Sequence, residues 1–230
     1  GPILANPALS QPAPGTPSPA PARPTDPLPI VLPRDDGPHD RLTEWWYLTG
    51  HLQAEDGRRF GFEAVVFRAE RGGVPVTWAS HLALTDESGG RFLYAQRAAI
   101  GPAVDRSPRA PDGTATGFTL MVPAVDPATG TVTADAPWQL SGTGGHHVIV
   151  AALAPSEAAI AGGAFSLDLE LIEDRLPALH GGIGWIDFGP AGSSYYYSRT
   201  RLRTLGTLTL DGAQLQVDGR SCSVTVRGDE

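Results

Sequence analysis

The chain of 230 residues carries a formal net charge of −8, is 41% hydrophobic, and holds a single cysteine, Cys222. All 17 basic residues are arginine and they form no cluster, so an acidic chain of this kind makes a poor partner for a phosphate backbone, and nucleic acid is excluded. One cysteine excludes an intrachain disulfide and a cysteine-based zinc site, and 28 glycines with 22 prolines favour many turns over long helices, hence an all-β fold.

Residues 1–33 hold 11 of the 22 prolines, mixed with Ala, Ser, Thr and Gly. That composition cannot bury enough apolar surface to offset its ordering entropy, so an extended, mobile leader is expected, with the body starting near Val31. Such a leader is what remains after an export signal or lipid anchor is removed. The protein is therefore expected to be periplasmic or secreted, or tethered to a membrane through the removed N-terminus. No apolar run approaches the roughly 20 residues that cross a bilayer. Met121 is the sole methionine, so the chain does not begin at a start codon and reads as a processed form or a fragment.

The first strand is Glu44-Trp45-Trp46-Tyr47-Leu48-Thr49-Gly50-His51-Leu52. Side chains alternate across a strand, which puts Glu44, Trp46, Leu48 and Leu52 on one face and Trp45, Tyr47, Thr49 and His51 on the other. Asp56-Gly57 is a hairpin signal, and Arg59 to Arg68 returns as a second strand. Val76 to Leu84 and Arg91 to Gln96 form another hairpin, with Trp78, Ser80, Leu82 and Leu84 opposite Thr77, Ala79, His81 and Ala83. A proline-broken loop, 99–117, precedes shorter strands at Phe118–Val122, Trp138–Ser141, His147–Leu153 and Phe165–Ile172. In the last of these Phe165, Leu167, Leu169 and Leu171 alternate with Ser166, Asp168 and Glu170. Ala158 to Ala161 is a helical hint too short to matter. A glycine-rich bend, 181–190, leads to a second aromatic cluster at Ser194-Tyr195-Tyr196-Tyr197-Ser198, and a final hairpin turns at Asp211-Gly212 between 206–210 and 214–217. About ten short strands predict an antiparallel barrel or sandwich.

The sequence has no phosphate-binding loop, nucleophile elbow or zinc helix. His146 and His147 are strand neighbours that face opposite ways and cannot chelate one ion together, so no metal or other cofactor is expected.

Pro33-Arg34-Asp35-Asp36-Gly37-Pro38-His39, Glu44-Trp45-Trp46-Tyr47-x-Thr49-Gly50, Phe60-Gly61-Phe62, Phe67-Arg68, His81-Leu82-Ala83-Leu84-Thr85-Asp86, and Ser194-Tyr195-Tyr196-Tyr197-Ser198 with Gly206 resemble, in that order, the hydroxyneurosporene synthase (carotenoid hydratase) and AttH family. The resemblance runs from about Leu32 to Gly212. It implies a lipocalin-like β architecture, two such domains in full-length members, and either hydration of a carbon–carbon double bond in an acyclic carotenoid or an uncharacterised secreted role. Members continue into a Trp-Met-Asp-His block and a second β domain. Here 34–220 is read as the N-terminal β domain and 221–230 as a tail, a possible truncation point before the second domain.

Hydrating an alkene needs a strong acid, a surface that stabilises a tertiary cation, and a placed water. A carboxyl in an apolar pocket can be the acid and aromatic faces the surface. The catalytic candidates are Glu44, His81 and Asp187. Against these stand structural roles: Glu44 paired with Arg199 or Arg201, His81 as a core or rim histidine, and Asp187 as a turn former. Trp45, Trp46, Tyr47, Trp78, Tyr195, Tyr196, Tyr197 and Arg199 are the candidate ligand-binding residues, with Arg199 and Arg201 expected on one strand face. The two aromatic clusters are expected to flank one cavity. The partner they imply is an apolar small molecule, an isoprenoid or lipid; the alternative is a non-catalytic carrier or the structural half of a longer envelope protein.

Overall fold

The structure is a computed structural model that describes residues 25–126 and 129–228. Its strands are β1 (Thr43–Ala54), β2 (Arg59–Ala69), β3 (Thr77–Asp86), β4 (Arg91–Ile100), β5 (Phe118–Val125), β6 (Val132–Thr143), β7 (His146–Ala152), β8 (Phe165–Glu173), β9 (Ala178–Leu179), β10 (Trp185–Asp187), β11 (Ser193–Leu210) and β12 (Ala213–Gly228). One helix, α1 (Pro155–Ala161), joins β7 to β8, and a 3-10 turn, Arg34–Asp36, precedes β1. The sheet is antiparallel in the order β4-β3-β2-β1-β12-β11-β8-β7-β6-β5, with β9 and β10 laid on β11. Its two edge strands, β4 and β5, approach each other, so the sheet curls nearly into a closed, lipocalin-like barrel.

Inward positions follow the expected alternation. Trp46, Leu48 and Leu52 of β1, Leu82 and Leu84 of β3, and Phe165, Leu167, Leu169 and Leu171 of β8 join one continuous buried cluster that fills the barrel. The barrel interior is thus a packed core of side chains, as small barrels usually are.

Two stretches differ from expectation. Residues 221–228, expected as a tail, are the second half of β12, which pairs with β1 over 217–228 on one side and with β11 over 213–228, across a bulge, on the other. The sequence hides this strand because its inward row is polar: Ser221, Ser223, Thr225 and Arg227 are all buried and carry no apolar alternation. Arg199 and Arg201 do not share a face, because a β-bulge between Arg199 and Leu202 shifts the register; Arg199 and Leu202 both point inward and Arg201 is exposed.

The Arg97 side chain bridges the seam between β4 and β5. Arg97 of β4 turns inward, lies over the Trp138 ring at 4.2 Å, and donates to the carbonyls of Val122 at 3.1 Å, Ala136 at 3.2 Å and Ala152 at 3.3 Å. Glu157 of α1 accepts from its Nε at 2.8 Å and Nη2 at 3.0 Å. The helix judged too short to matter thus supplies the carboxylate that neutralises a buried arginine.

Candidate functional site

The two aromatic clusters meet at the mouth of the barrel, the end where β1 and β11 begin and β12 finishes. Glu44 pairs with Arg227 and Arg227 with Tyr195; Trp46 pairs with Thr225 and Thr225 with Tyr197. The clusters therefore sit in register on either side of β12, and their inward side chains share one layer.

The 3-10 turn plugs this layer. Asp36 is 1% exposed and its carboxylate accepts from Tyr197 Oη at 2.7 Å and Arg199 Nη2 at 3.0 Å. Arg199 Nη1 lies 2.9 Å from Asp36 Oδ1, an ion-pair contact whose angle is not that of a hydrogen bond. Arg199 Nε donates to Glu173 at 2.8 Å, and Trp46 Nε1 donates to the Asp36 carbonyl at 2.8 Å. Burial lowers the Arg199 pKa and the Asp36 carboxylate more than offsets it, so the guanidinium is held above its usual range. Burial also pushes the Tyr197 phenol up, aided by the Asp36 charge. Both stay in their charge states at any ordinary pH.

Beside this plug lies a second polar group. The His39 ring has Glu44 Oε1 at 3.0 Å from Nδ1, Asp35 Oδ1 at 3.2 Å from Nε2, and Arg227 Nη1 at 2.6 Å from Nε2. Burial by itself lowers the His39 pKa, but the two carboxylates outweigh it and raise it from its ordinary value. Burial would raise the Asp35 pKa, yet His39, Arg34 and the Val31 amide together hold it well below the carboxylate range. A guanidinium can only donate. Neutral His39 therefore accepts from Arg227 at Nε2, and charged His39 donates from the same nitrogen to Asp35.

These groups line a mouth cavity of about 340 Å³ with Leu28, Arg34, Pro38, Arg41, Arg109 and Tyr195 among its walls. The leader reaches it too. Residues 1–24 of the expected leader lie outside the described residues; beyond them, Asp26 accepts from Arg41 Nη1 at 2.6 Å and Tyr195 Oη at 2.6 Å, and the Leu28 amide donates to Tyr195 Oη at 2.7 Å.

The sequence candidates separate accordingly. Glu44, Trp46, Tyr195, Tyr197 and Arg199 converge on the mouth, and Trp78 is buried at the same end with its Nε1 donating to the Gly101 carbonyl at 2.9 Å. Glu44 is paired with His39, and with Arg68 at 3.8 Å, instead of with Arg199 or Arg201. Trp45, Tyr47 and Tyr196 lie on the outer side of their strands; Tyr196 stacks on His180 at 3.9 Å and Tyr47 Oη donates to Glu63 at 3.0 Å. His81 sits on the outside of β3 with its ring 5.2 Å from Phe67 and 5.6 Å from Tyr94. Asp187 is exposed and accepts from the Gly189 amide at 2.7 Å, a turn contact. Among the described residues, Glu44 is buried at the mouth, His81 lies on the outside of β3 and Asp187 sits in an exposed turn, so the three are not brought together.

Sequence reasoning missed Asp35, Asp36 and His39 as a group, although the motif Arg34-Asp35-Asp36-Gly37-Pro38-His39 was in plain view. Gly37 marks how closely the turn is seated: a Cβ there would lie 2.6 Å from Ala115 Cβ. Missed as well was a second cavity, about 420 Å³, on the outside of the β4/β5 seam. Its walls are Ala98, Ala99, Ile100, Ala103, Val104, Met121, Pro123, Val125, Val132 and Pro137, with Arg106 as the one ionisable side chain. None of the expected ligand-binding residues lines it.

Fold and site define a lipocalin-like β-barrel with a filled interior, a polar plug at the mouth and an apolar groove along its seam. The chain belongs to the AttH-like family, whose model matches residues 23–222. Among solved structures it is similar to an AttH protein from Nitrosomonas europaea, at TM-score 0.66 and 24% identity over 88% of this chain and 57% of that one. It is also similar to kievitone hydratase from Nectria haematococca, at TM-score 0.52 and 13% identity over 88% of this chain and 52% of that one. At these identities the likeness is one of fold. The chain spans a little over half the length of both structures. A search of the curated proteins finds no match.

Proposed function

We propose that the protein binds an apolar, isoprenoid- or lipid-like small molecule in the groove along the β4/β5 seam. The observation that carries this reading is the groove itself: about 420 Å³ of concave surface walled by aliphatic side chains, with a single guanidinium at Arg106. That is the composition of a small-molecule site, apolar walls with few polar groups to fix orientation. A tail that buries about 200 Å² of apolar surface gains roughly 5 kcal/mol before binding costs.

Binding is favoured over turnover by the placement of acids. A guanidinium does not give up a proton in a protein, so Arg106 cannot protonate an alkene. Glu44, the first acid suggested by the sequence, spends both oxygens on His39, Oε2 on its backbone amide at 2.8 Å and Oε1 on its ring at 3.0 Å. The likeness to kievitone hydratase supports hydratase chemistry as the second reading, for a longer protein that brings its own acid to the groove. The composition of residues 1–33 supports a periplasmic or secreted location, which fractionation of the native host would check.

The test uses the neutral fluorophore N-phenyl-1-naphthylamine displaced by farnesol. Wild type should bind both, and Ala98→Trp, which fills the groove from an exposed strand position, should weaken both at least ten-fold with no loss of folding. Equal affinities for wild type and variant would overturn the assignment. Incubation with lycopene should give no tertiary alcohol by chromatography.

A further inference from the structure

The mouth cavity is separate from the seam groove and its chemistry is different. Its walls carry the guanidinium groups of Arg34, Arg41, Arg109 and Arg227 and the ring of His39, against one lining carboxylate, Asp35. Three of these cations are already engaged: Arg34 chelates Asp35, Arg41 chelates Asp26, and His39 lies between Glu44 and Asp35. Arg227 also pairs with Asp35, through Nη1 at 3.6 Å from Oδ1, but only by that one nitrogen. It is 5% exposed and is clamped with its guanidinium carbon 4.4 Å over the Tyr195 ring. All of its hydrogen-bond contacts, to His39 and to the Asp35 carbonyl at 3.4 Å, run through Nη1. Nε and Nη2 bond to nothing among the described residues, and they are not sealed from solvent, as Arg199 Nη1 is. A nearly buried arginine with a free Nε/Nη2 edge on a cavity is a fork waiting for a bidentate acceptor.

We propose that the mouth cavity is a binding site for the carboxylate group of a small organic acid, held by the Nε/Nη2 edge of Arg227 and faced by Arg109 across the cavity. The planar fork suits a carboxylate better than a tetrahedral oxyanion. Leu28, Pro38, Ala115 and the Tyr195 ring give the organic part an apolar wall. Asp26 shows the same recognition within the chain, its carboxylate taking both Arg41 Nη groups, at 2.6 and 2.8 Å, and the Tyr195 hydroxyl at 2.6 Å. Arg109, half-exposed and 3.5 Å from Asp105, can swing toward the ligand.

The experiment measures binding of benzoate, its neutral isostere benzamide and inorganic phosphate by calorimetry, on wild type, Arg227→Gln, Arg227→Lys and Arg109→Gln. Benzoate should bind at least ten-fold more tightly than benzamide and phosphate, since a charge-assisted bidentate pair is worth about that factor. Arg227→Gln should abolish the preference, Arg227→Lys should restore little of it because the fork is lost, and Arg109→Gln, on an exposed loop where folding is not at stake, should weaken benzoate about three-fold. Benzoate and benzamide binding alike, phosphate binding more tightly than benzoate, no binding of benzoate, or an unchanged affinity in Arg109→Gln together with Arg227→Gln would each overturn the proposal. Ala98→Trp should leave benzoate unaffected, which separates this site from the groove.

Discussion

Replacing Arg199 by methionine removes the cation from the plug and leaves the Asp36 carboxylate, 1% exposed, with the Tyr197 hydroxyl as its only side-chain donor among the described residues. Removing one partner of a buried ion pair costs about 3–5 kcal/mol, because the other charge stays desolvated. Here Glu173 is the lesser loss, since its carboxylate lies closer to solvent and can rehydrate. For a domain of about 200 residues each kcal/mol lowers the melting temperature by about 2–4 °C, so Arg199→Met should melt about 6–20 °C below wild type. Adding Asp36→Leu removes the stranded charge as well, and an apolar pair of similar volume is often neutral relative to the ion pair. The double variant should therefore recover most of the loss. Thermal unfolding followed by circular dichroism makes the comparison. A single variant within about 2 °C of wild type, or a double variant no better than the single, would refute the reasoning that the plug is held by a desolvated charge pair.

Arg97→Met should unseal the barrel without unfolding it, seen as faster amide hydrogen exchange confined to β4, β5 and α1, with β1, β11 and β12 unchanged. The two unusual histidines should give pH slopes of opposite sign. His39 has its folded pKa raised by Asp35 and Glu44 against the opposing charge of Arg227, so its stabilisation is full below about pH 6.5 and is lost as pH rises through the folded value; His39→Gln should flatten the stability profile above pH 6.5. His147 is buried with neither ring nitrogen bonded, and burial, with the nearby charge of Arg199, pushes its pKa down to about 3. Its neutral form is native, so stability is full above about pH 6.5 and falls by roughly 1.4 kcal/mol per pH unit toward pH 3; His147→Leu should remove that acid limb in urea titrations read by fluorescence.

The fold was legible wherever one face of a strand is apolar. The alternation in β8 and in β3 gave the inward sets as they stand, and Asp211-Gly212 gave the turn, in which both residues have positive φ, 49° and 86°. Legibility failed where the inward face is polar. Ser221, Ser223, Thr225 and Arg227 look like a surface tail until Asp36 and Arg199 are known to lie across from them. The bulge after Arg199 inverts phase without any glycine or proline to announce it. For the site, the pairing of the Glu44 and Tyr195 blocks could be guessed from aromatic content, but its intermediary, β12, could not. His147 escaped because its environment depends on Gly142, whose missing side chain leaves the room it fills: a Cβ there would stand 2.4 Å from His147 Nδ1. The seam groove needed the three-dimensional meeting of β4 and β5, strands separated by the whole circumference of the sheet in its pairing order.

The most direct test of the central claim is photo-crosslinking with a long-chain alcohol that carries a diazirine near its apolar end, followed by peptide mapping. Labels on residues 98–106 and 121–137, competed away by farnesol and lost in Ala98→Trp, are the predicted result. Labels concentrated on Trp45, Tyr47 and Tyr196, or on inward residues of the barrel such as Leu48 and Leu169, would contradict it.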